Sequence, residues 1–166
     1  MLRRNKSNQF KLGEIMAIRQ IVQIGDDVLR KKSNPVTDFG ARTSKLLDDM
    51  KDTVIKADGA GLAAPQVGVL RRIFVVNVEE GYFEFINPEI LSQSGSQYGP
   101  EGCLSVVGKQ GNVKRPYTVK VNYQDRNGNF HTITANGFFA KAICHEYDHL
   151  EGILYIDKAD DVKVVN

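Results

Sequence analysis

The sequence predicts an α+β fold in which antiparallel sheets and hairpins pack around a central helix that carries a His-Glu-x-x-His motif. Three observations support this prediction: a helical apolar pattern after residue 41, alternating strand patterns around an Asn-Gly pair, and a mostly apolar helical segment that ends near residue 150. The chain has 166 residues, of which 42% are hydrophobic and 25% charged. This composition is typical of one ordinary globular domain with a sizeable core.

The first half of the domain begins with two predicted helices. Asp26 or Asp27 can cap a brief helix through Lys31, which ends before Asn34-Pro35 because the residue before a proline disfavours helical geometry. A long amphipathic helix is predicted over about 41–57. The residues that recur at helical spacing and define its buried stripe are Leu47, Met50 and Val54.

Two β-hairpins are predicted after this helix. Residues 71–78 are rich in β-forming side chains and turn back near Gly81 into a strand over 82–86, which we expect Asn87-Pro88 to stop. The second hairpin pairs residues 117–123 with 130–134. Its turn is Asn127-Gly128, a pair that favours positive φ.

A second helix is predicted from about Gly137 to Leu150, with Asn136 as its cap and Gly152 at its end. Its small and apolar side chains, such as Ile143, predict burial on much of its circumference. A buried helix wrapped by antiparallel strands gives the α+β arrangement.

This helix contains a candidate metal site. His145 and His149 are four residues apart, so their imidazoles lie on one helix face, and Glu146 beside them can carry protons. A third ligand can come from another histidine, a carboxylate or a cysteine; we favour Cys103 over His131, which falls in a predicted hairpin strand. A zinc endopeptidase, a non-catalytic metal-binding module with a fourth ligand and a surface helix with two polar tips remain alternatives.

Three segments together indicate a family. They are Gly59-Ala60-Gly61-Leu62-Ala63-Ala64-Pro65-Gln66, Glu101-Gly102-Cys103-Leu104-Ser105 and His145-Glu146-Tyr147-Asp148-His149. In this order and at these separations they resemble the three motifs of the peptide deformylases. The resemblance extends from about Met16 to about Asp157.

The resemblance implies a metal-dependent amidohydrolase that removes the N-formyl group from formylmethionine of nascent polypeptides and releases formate. It implies one divalent metal at Cys103, His145 and His149, with Fe²⁺ in the cell and Zn²⁺ or Ni²⁺ as substitutes. Metal-bound water would attack the formyl carbon, with Glu146 as general acid and base.

The same resemblance implies two donors for the oxyanion that forms during attack. They are the side-chain amide of Gln66 and the backbone N–H of Leu104. The family also uses an ion pair to brace its cysteine loop, for which Glu101 and Arg115 are the candidates.

Substrate binding is predicted on two segments. The small residues of the first motif permit an extended peptide to lie close to the backbone, and an apolar pocket on the helix can hold the methionine side chain. The candidates are Gly59, Ala60, Gly61 and Leu62 on the strand, and Phe138 and Ala142, with Ile143, on the helix.

The remaining predictions concern setting and organisation. No apolar run approaches the roughly 20 residues needed to cross a bilayer, and two cysteines are too few to indicate a disulfide scaffold. We therefore expect a cytoplasmic enzyme with nascent peptides as partners, transient proximity to the ribosome, and no membrane or direct nucleic-acid binding. Residues 1–15 are interpreted as a disordered or extended leader or an added remnant, and residues 16–166 as a single catalytic domain.

Overall fold

The computed structural model describes Met1 and residues 17–166. Over these residues the chain forms two α-helices, eight strands and three short 3₁₀ turns. The helices are α1(Ala41–Lys56) and α2(Gly137–Leu150), and the strands are β1(Gly61–Ala63), β2(Ile73–Val78), β3(Gly81–Ser94), β4(Gln97–Cys103), β5(Val106–Arg115), β6(Thr118–Gln124), β7(Phe130–Asn136) and β8(Asp160–Val164). The 3₁₀ turns are Asp27–Arg30, Ala64–Val67 and Tyr155–Asp157.

The strands form two antiparallel sheets. One has the order β1-β2-β3-β6-β7 and the other β4-β5-β8. Helix α2 packs on the five-stranded sheet, mainly against β1 and β2. The predicted α+β class with antiparallel sheets is confirmed.

Both helices form where the apolar pattern predicts them. Leu47, Met50 and Val54 of α1 are completely buried and pack with apolar residues of β1, β2 and β3. In α2, eleven of the fourteen residues are buried, which explains why its sequence is small and apolar over most of its surface. Asn136 holds the capping position, but its side chain accepts a hydrogen bond from Thr118 Oγ1 (2.7 Å) rather than capping the helix.

The prediction that Asn87-Pro88 stops its strand is wrong. Strand β3 continues to Ser94, with a shift of register between Ile86 and Glu89. A bulge accommodates proline, which has no N–H for the ladder, and Asn87 adopts a φ of 49° there. The Asn87 side chain also bonds both the N–H (2.8 Å) and the C=O (2.9 Å) of Val36.

The two predicted hairpins are present as β2–β3 and β6–β7, and Gly128 in the second turn has a φ of 84°. A third hairpin, β4–β5, was not predicted. It closes at Cys103, which pairs with Val106 across the turn Leu104-Ser105. Its glycines and proline obscure the alternation by which a strand is recognised.

Residues 2–15 of the predicted leader and Met16, the first residue of the predicted domain, lie outside the described residues, so the domain boundary at residue 16 stays a prediction. Met1 is described and is buried, with 2% of its surface exposed. None of the described helices has the length and apolar character of a membrane span.

Candidate active site

Three candidate metal ligands converge from two elements. Cys103 ends β4, while His145 and His149 lie one turn apart on α2. One donor atom from each of these three buried residues lies within 4.8 Å of the other two. Cys103 Sγ is 3.4 Å from His149 Nε2.

The histidine nitrogens are arranged for binding a cation. His145 Nδ1 bonds Glu101 Oε1 at 2.8 Å, which orients the ring. Within the described part of the chain, His145 Nε2 and His149 Nδ1 are buried without a hydrogen-bond partner. A buried imidazole nitrogen with no partner is costly, and a divalent metal held with a thiolate and two imidazoles would satisfy His145 Nε2. The donor set therefore fits a metal such as zinc or iron.

An ion network lies behind the histidines. Arg115 donates to both carboxylate oxygens of Glu101 (2.9 and 3.0 Å) and to Asp148 Oδ2 (2.6 Å). The predicted Glu101–Arg115 pair is confirmed. Burial alone would raise the pKa of Glu101, but hydrogen bonds from His145 and Arg115 outweigh it and lower the pKa to about 2. Glu101 therefore stays ionised and favours a proton on His145 Nδ1, which leaves Nε2 to bind a metal.

Neighbouring imidazoles also act on the cysteine. Burial would raise the pKa of the Cys103 thiol, but His149 and His145 lower it well below its ordinary value. The thiolate is the form that binds metals. The other cysteine, Cys144, is buried as well, and burial raises its pKa to about 11. Of the two cysteines, Cys103 is the one whose sulfur lies together with donor atoms of both histidines.

Glu146 is completely buried beside this group. It packs directly against Gly61, where an added Cβ would lie only 2.5 Å from Glu146 Oε1. Its Oε1 is 3.4 Å from the amino nitrogen of Met1, and its Oε2 has no hydrogen-bond partner among the described residues. A buried carboxylate with one unsatisfied oxygen can accept a proton from a bound reactant.

The two predicted oxyanion donors lie next to the thiol. Gln66 is fully buried, and its Oε1 accepts from the Ala63 N–H (2.9 Å). Its Nε2 donates to Ser105 Oγ (3.1 Å) and lies 3.5 Å from Cys103 Sγ. Leu104 directly follows Cys103, and its carbonyl accepts from Gln23 Nε2 at 3.0 Å. The two bonds of Gln66 fix the orientation of its side-chain amide.

The predicted substrate strand has two neighbours. The Ala60 carbonyl accepts from Asn77 N–H of β2 (2.8 Å), while the Ala60 N–H donates to the carbonyl of Met1 (2.7 Å). An added Cβ at Gly59 would lie 2.9 Å from the end of the Leu104 side chain, which would have to shift. Leu62 packs in the apolar cluster that contains Leu47 and Met50 of α1. Met1 belongs to the other cluster.

The helix residues proposed for the methionine pocket differ in position. Ala142 and Ile143 belong to the buried cluster that contains Met1. Phe138 is 43% exposed and lies outside that cluster. His131, which we set aside as a ligand, lies on β7 and bonds Asp125 at 2.7 Å on the surface.

Sequence reasoning missed Ser105 and Tyr155. Ser105 is buried and holds the Gln66 amide; its place as the last residue of the cysteine motif was the available signal. The Tyr155 ring stacks on His145 with 5.9 Å between ring centroids. Nothing in the sequence around Tyr155 indicates this contact.

Known proteins of one family are similar to most of this chain. Residues 18–165 match the family model described as polypeptide deformylase. The chain is 55% identical to a peptide deformylase of Caldanaerobacter subterraneus subsp. tengcongensis over 86% of this chain and 90% of that protein. It is 53% identical to one from Caldicellulosiruptor bescii over 86% of each chain. The solved peptide deformylase of Thermotoga maritima superimposes with a TM-score of 0.85 at 40% identity, over 86% of this chain and 98% of that one.

Proposed function

The chain belongs to the peptide deformylase family, whose members remove N-formyl groups from nascent peptides, and on this premise we propose the roles of its individual residues. Cys103, His145 and His149 hold the divalent metal, and Glu146 transfers protons. The convergence of three buried donor atoms within 4.8 Å, beside a buried carboxylate, carries this proposal.

The metal supplies Lewis-acid chemistry and an activated water molecule when it is bound. The chain contributes one negative thiolate ligand and two neutral imidazoles. Glu101 keeps a proton on His145 Nδ1, because the 2.8 Å hydrogen bond to an ionised carboxylate stabilises that tautomer. The same contact fixes the plane of the ring.

Glu146 acts as general base and then as general acid. It accepts a proton from the attacking water and delivers one to the amine that leaves when the formyl C–N bond breaks. Its complete burial supports this role, because a carboxylate removed from bulk water exchanges its proton with the bound reactant. Its packing against Gly61 restricts its position.

Gln66 and Leu104 stabilise the oxyanion. The Gln66 amide is held by Ala63 and Ser105, and the Leu104 N–H lies one residue beyond Cys103. Such preorganised donors gain strength in a site closed to water, and losing one typically costs about 3 kcal/mol of transition-state stabilisation. Gln66→Ala should therefore lower turnover while the metal stays bound.

The peptide binds along Gly59, Ala60, Gly61 and Leu62, with its first side chain against α2. The Ala60 N–H, which donates to the Met1 carbonyl in this structure, would make the same strand-like bond to a peptide carbonyl. Ala142 lines the floor of the methionine pocket, and the exposed Phe138 borders its rim. Leu62 contributes through its backbone, because its side chain packs toward α1.

The metal in the cell is Fe²⁺ in this proposal, with Zn²⁺ or Ni²⁺ able to replace it. One thiolate and two imidazoles suit all three ions, so the choice needs an experiment. Activity lost in air, and preserved by anaerobic handling or nickel exchange, would support iron, because oxygen readily oxidises Fe²⁺ but not Zn²⁺ or Ni²⁺, while the thiolate ligand is the same for all three ions. Full, oxygen-stable activity with zinc alone would contradict it. The proposal further includes a cytoplasmic location and transient proximity to the ribosome.

The residue assignment is tested by formate release from a formyl-Met peptide, with metal content measured on the same sample. Glu146→Gln should lose about 10²–10⁴-fold in rate and keep its metal. Glu89→Gln, an exposed glutamate on β3, is the matched control and should keep the parent rate. A Glu146→Gln protein as fast as the parent would refute the assignment. The N-acetylated form of the same peptide should remain intact. Cleavage at its internal bonds would instead indicate an endopeptidase.

A further inference from the structure

The first residue of the chain lies inside the proposed active site. The Met1 ammonium is 3.4 Å from Glu146 Oε1, and neither side chain is more than 3% exposed. The Met1 carbonyl accepts from the Ala60 N–H at 2.7 Å. Its side chain packs in the buried cluster that includes Ala142 and Ile143. Ammonium, carbonyl and side chain thus each contact a different part of the site.

These three contacts match the chemistry of the reaction product. Hydrolysis of a formylated N-terminus yields a methionine with an ammonium group, and Met1 presents that group to the proposed proton carrier. Its carbonyl makes the strand-like bond expected of a bound peptide. A buried ammonium is costly without a partner, and Glu146 supplies the opposite charge.

We propose that, in a chain that starts at Met1, this residue binds in the chain's own active site as a tethered product and competes with formyl-Met substrates. The inference rests on the proposed function for the identity of the site. Residues 2–16 join Met1 covalently to the domain, so its local concentration does not depend on how much protein is present. Tethers of this kind give effective concentrations of about millimolar.

Competition by a tethered group has a defined kinetic signature. It raises the apparent KM of the substrate and the apparent inhibition constant of added product by the same factor. It leaves kcat unchanged, because saturating substrate displaces Met1 completely. Loss of a structural contact at the site would instead alter kcat.

The test compares two forms of the full, metal-loaded chain released from a cleavable fusion. One form starts at Met1, and the other carries a single extra glycine before it. The added residue moves the ammonium away from Glu146 and puts a peptide group in its place. We expect the glycine form to have a KM for a formyl-Met-Ala-Ser peptide at least about twofold lower, a product inhibition constant lower by the same factor, and an equal kcat. Equal KM and equal product inhibition in the two forms would overturn the proposal.

A second measurement does not depend on activity. The chain has three methionines, so ¹³C-methyl-methionine NMR of the two forms should differ mainly in the Met1 methyl signal. Added Met-Ala-Ser peptide should shift that signal toward a solvent-exposed position only in the form that starts at Met1. Displacement of the signal without formate release would refute the proposed function but support binding of Met1 at this site. Identical Met1 signals that do not respond to the peptide would refute the binding.

Discussion

Two arginines of this protein each bridge two carboxylates, and the contacts are almost equal in length while the surroundings differ. Arg115 reaches Glu101 at 2.9 and 3.0 Å and Asp148 at 2.6 Å, with 3% of its side chain exposed. It joins β5 to β4 and α2 behind the proposed metal ligands. Through Glu101 this buried network continues to His145.

Arg126 forms the corresponding surface network. It reaches Glu84 at 2.9 and 2.7 Å and Asp48 at 3.0 Å, and 32% of its side chain is exposed. It joins the β6–β7 turn to β3 and α1, on contacts that do not include the candidate ligands. Contact geometry alone would therefore rank the two networks as equivalent.

Burial separates them energetically. Near the surface, water and salt screen the charges, so an ion pair typically contributes about 0–1 kcal/mol. In the interior, the loss of one partner leaves an uncompensated charge and costs about 3–5 kcal/mol. The buried network is therefore expensive to break and is coupled to the site, whereas the surface network mainly links neighbouring elements.

The largest effect is expected for Arg115→Met. It leaves Glu101 and Asp148 without their shared partner, and the free energy of unfolding should fall by about 3–5 kcal/mol in urea denaturation. Arg126→Met is the matched control, because it removes the same charge from the same arrangement of contacts. Equal losses in the two variants would show that burial does not distinguish the networks.

Glu101→Gln tests the link from the buried network to the metal. The neutral amide still accepts from His145 Nδ1, but it no longer favours the proton there. Metal affinity should fall about 10–100-fold, measured by competition with a chelator. Glu84→Gln, which changes the surface network in the same way, should bind metal like the parent. An unchanged metal affinity in Glu101→Gln would contradict the proposed coupling between the buried network and the metal site.

Acid should act on the buried carboxylate. The folded-state pKa of Glu101 is about 2, below its ordinary value of 4.5, so the unfolded chain binds more protons in this range. The stability that Glu101 contributes is thus present above pH 4.5 and is lost as pH falls toward about 2. In metal-free protein, the difference in unfolding free energy between the parent and Glu101→Gln should shrink over this window. Glu89→Gln, which changes an exposed glutamate on β3, is the control. A difference that stays constant from pH 5 to pH 2 would contradict the Glu101 assignment.

The buried and surface regions also differ in what the sequence could predict. Helix α2 was predicted because its apolar residues, its cap position and its glycine stop are all local signals. The β4–β5 hairpin was missed, because Gly99, Pro100 and Gly102 weaken any strand pattern and pairing with β8 is a tertiary effect. Glu101 and Arg115 were paired through the family resemblance alone.

The pairing of Asp148, the third member of the buried network, with Arg115 had no local signal. Asp148 lies 33 residues from Arg115, and only the tertiary fold brings the end of β5 next to α2. The position of Met1 could likewise not be predicted from the sequence, because its contact with Glu146 spans 145 positions. Long-range contacts between charged groups follow from the complete fold, whereas helices and hairpins follow from neighbouring residues.

The smallest effect is expected for Arg126→Met studied by itself. The variant should lose about 0–1 kcal/mol of unfolding free energy at low salt, because Glu84 and Asp48 remain accessible to water once the guanidinium is removed. In about 1 M NaCl, where the Debye length is roughly 3 Å, most of that loss should disappear. Metal affinity and formate release should match the parent at both salt concentrations, because none of the three residues contacts a candidate ligand. A salt-independent loss of several kcal/mol would mean that the surface network is shielded from solvent like the buried one. Solvent exposure would then not explain the difference in stability between the two arginine networks.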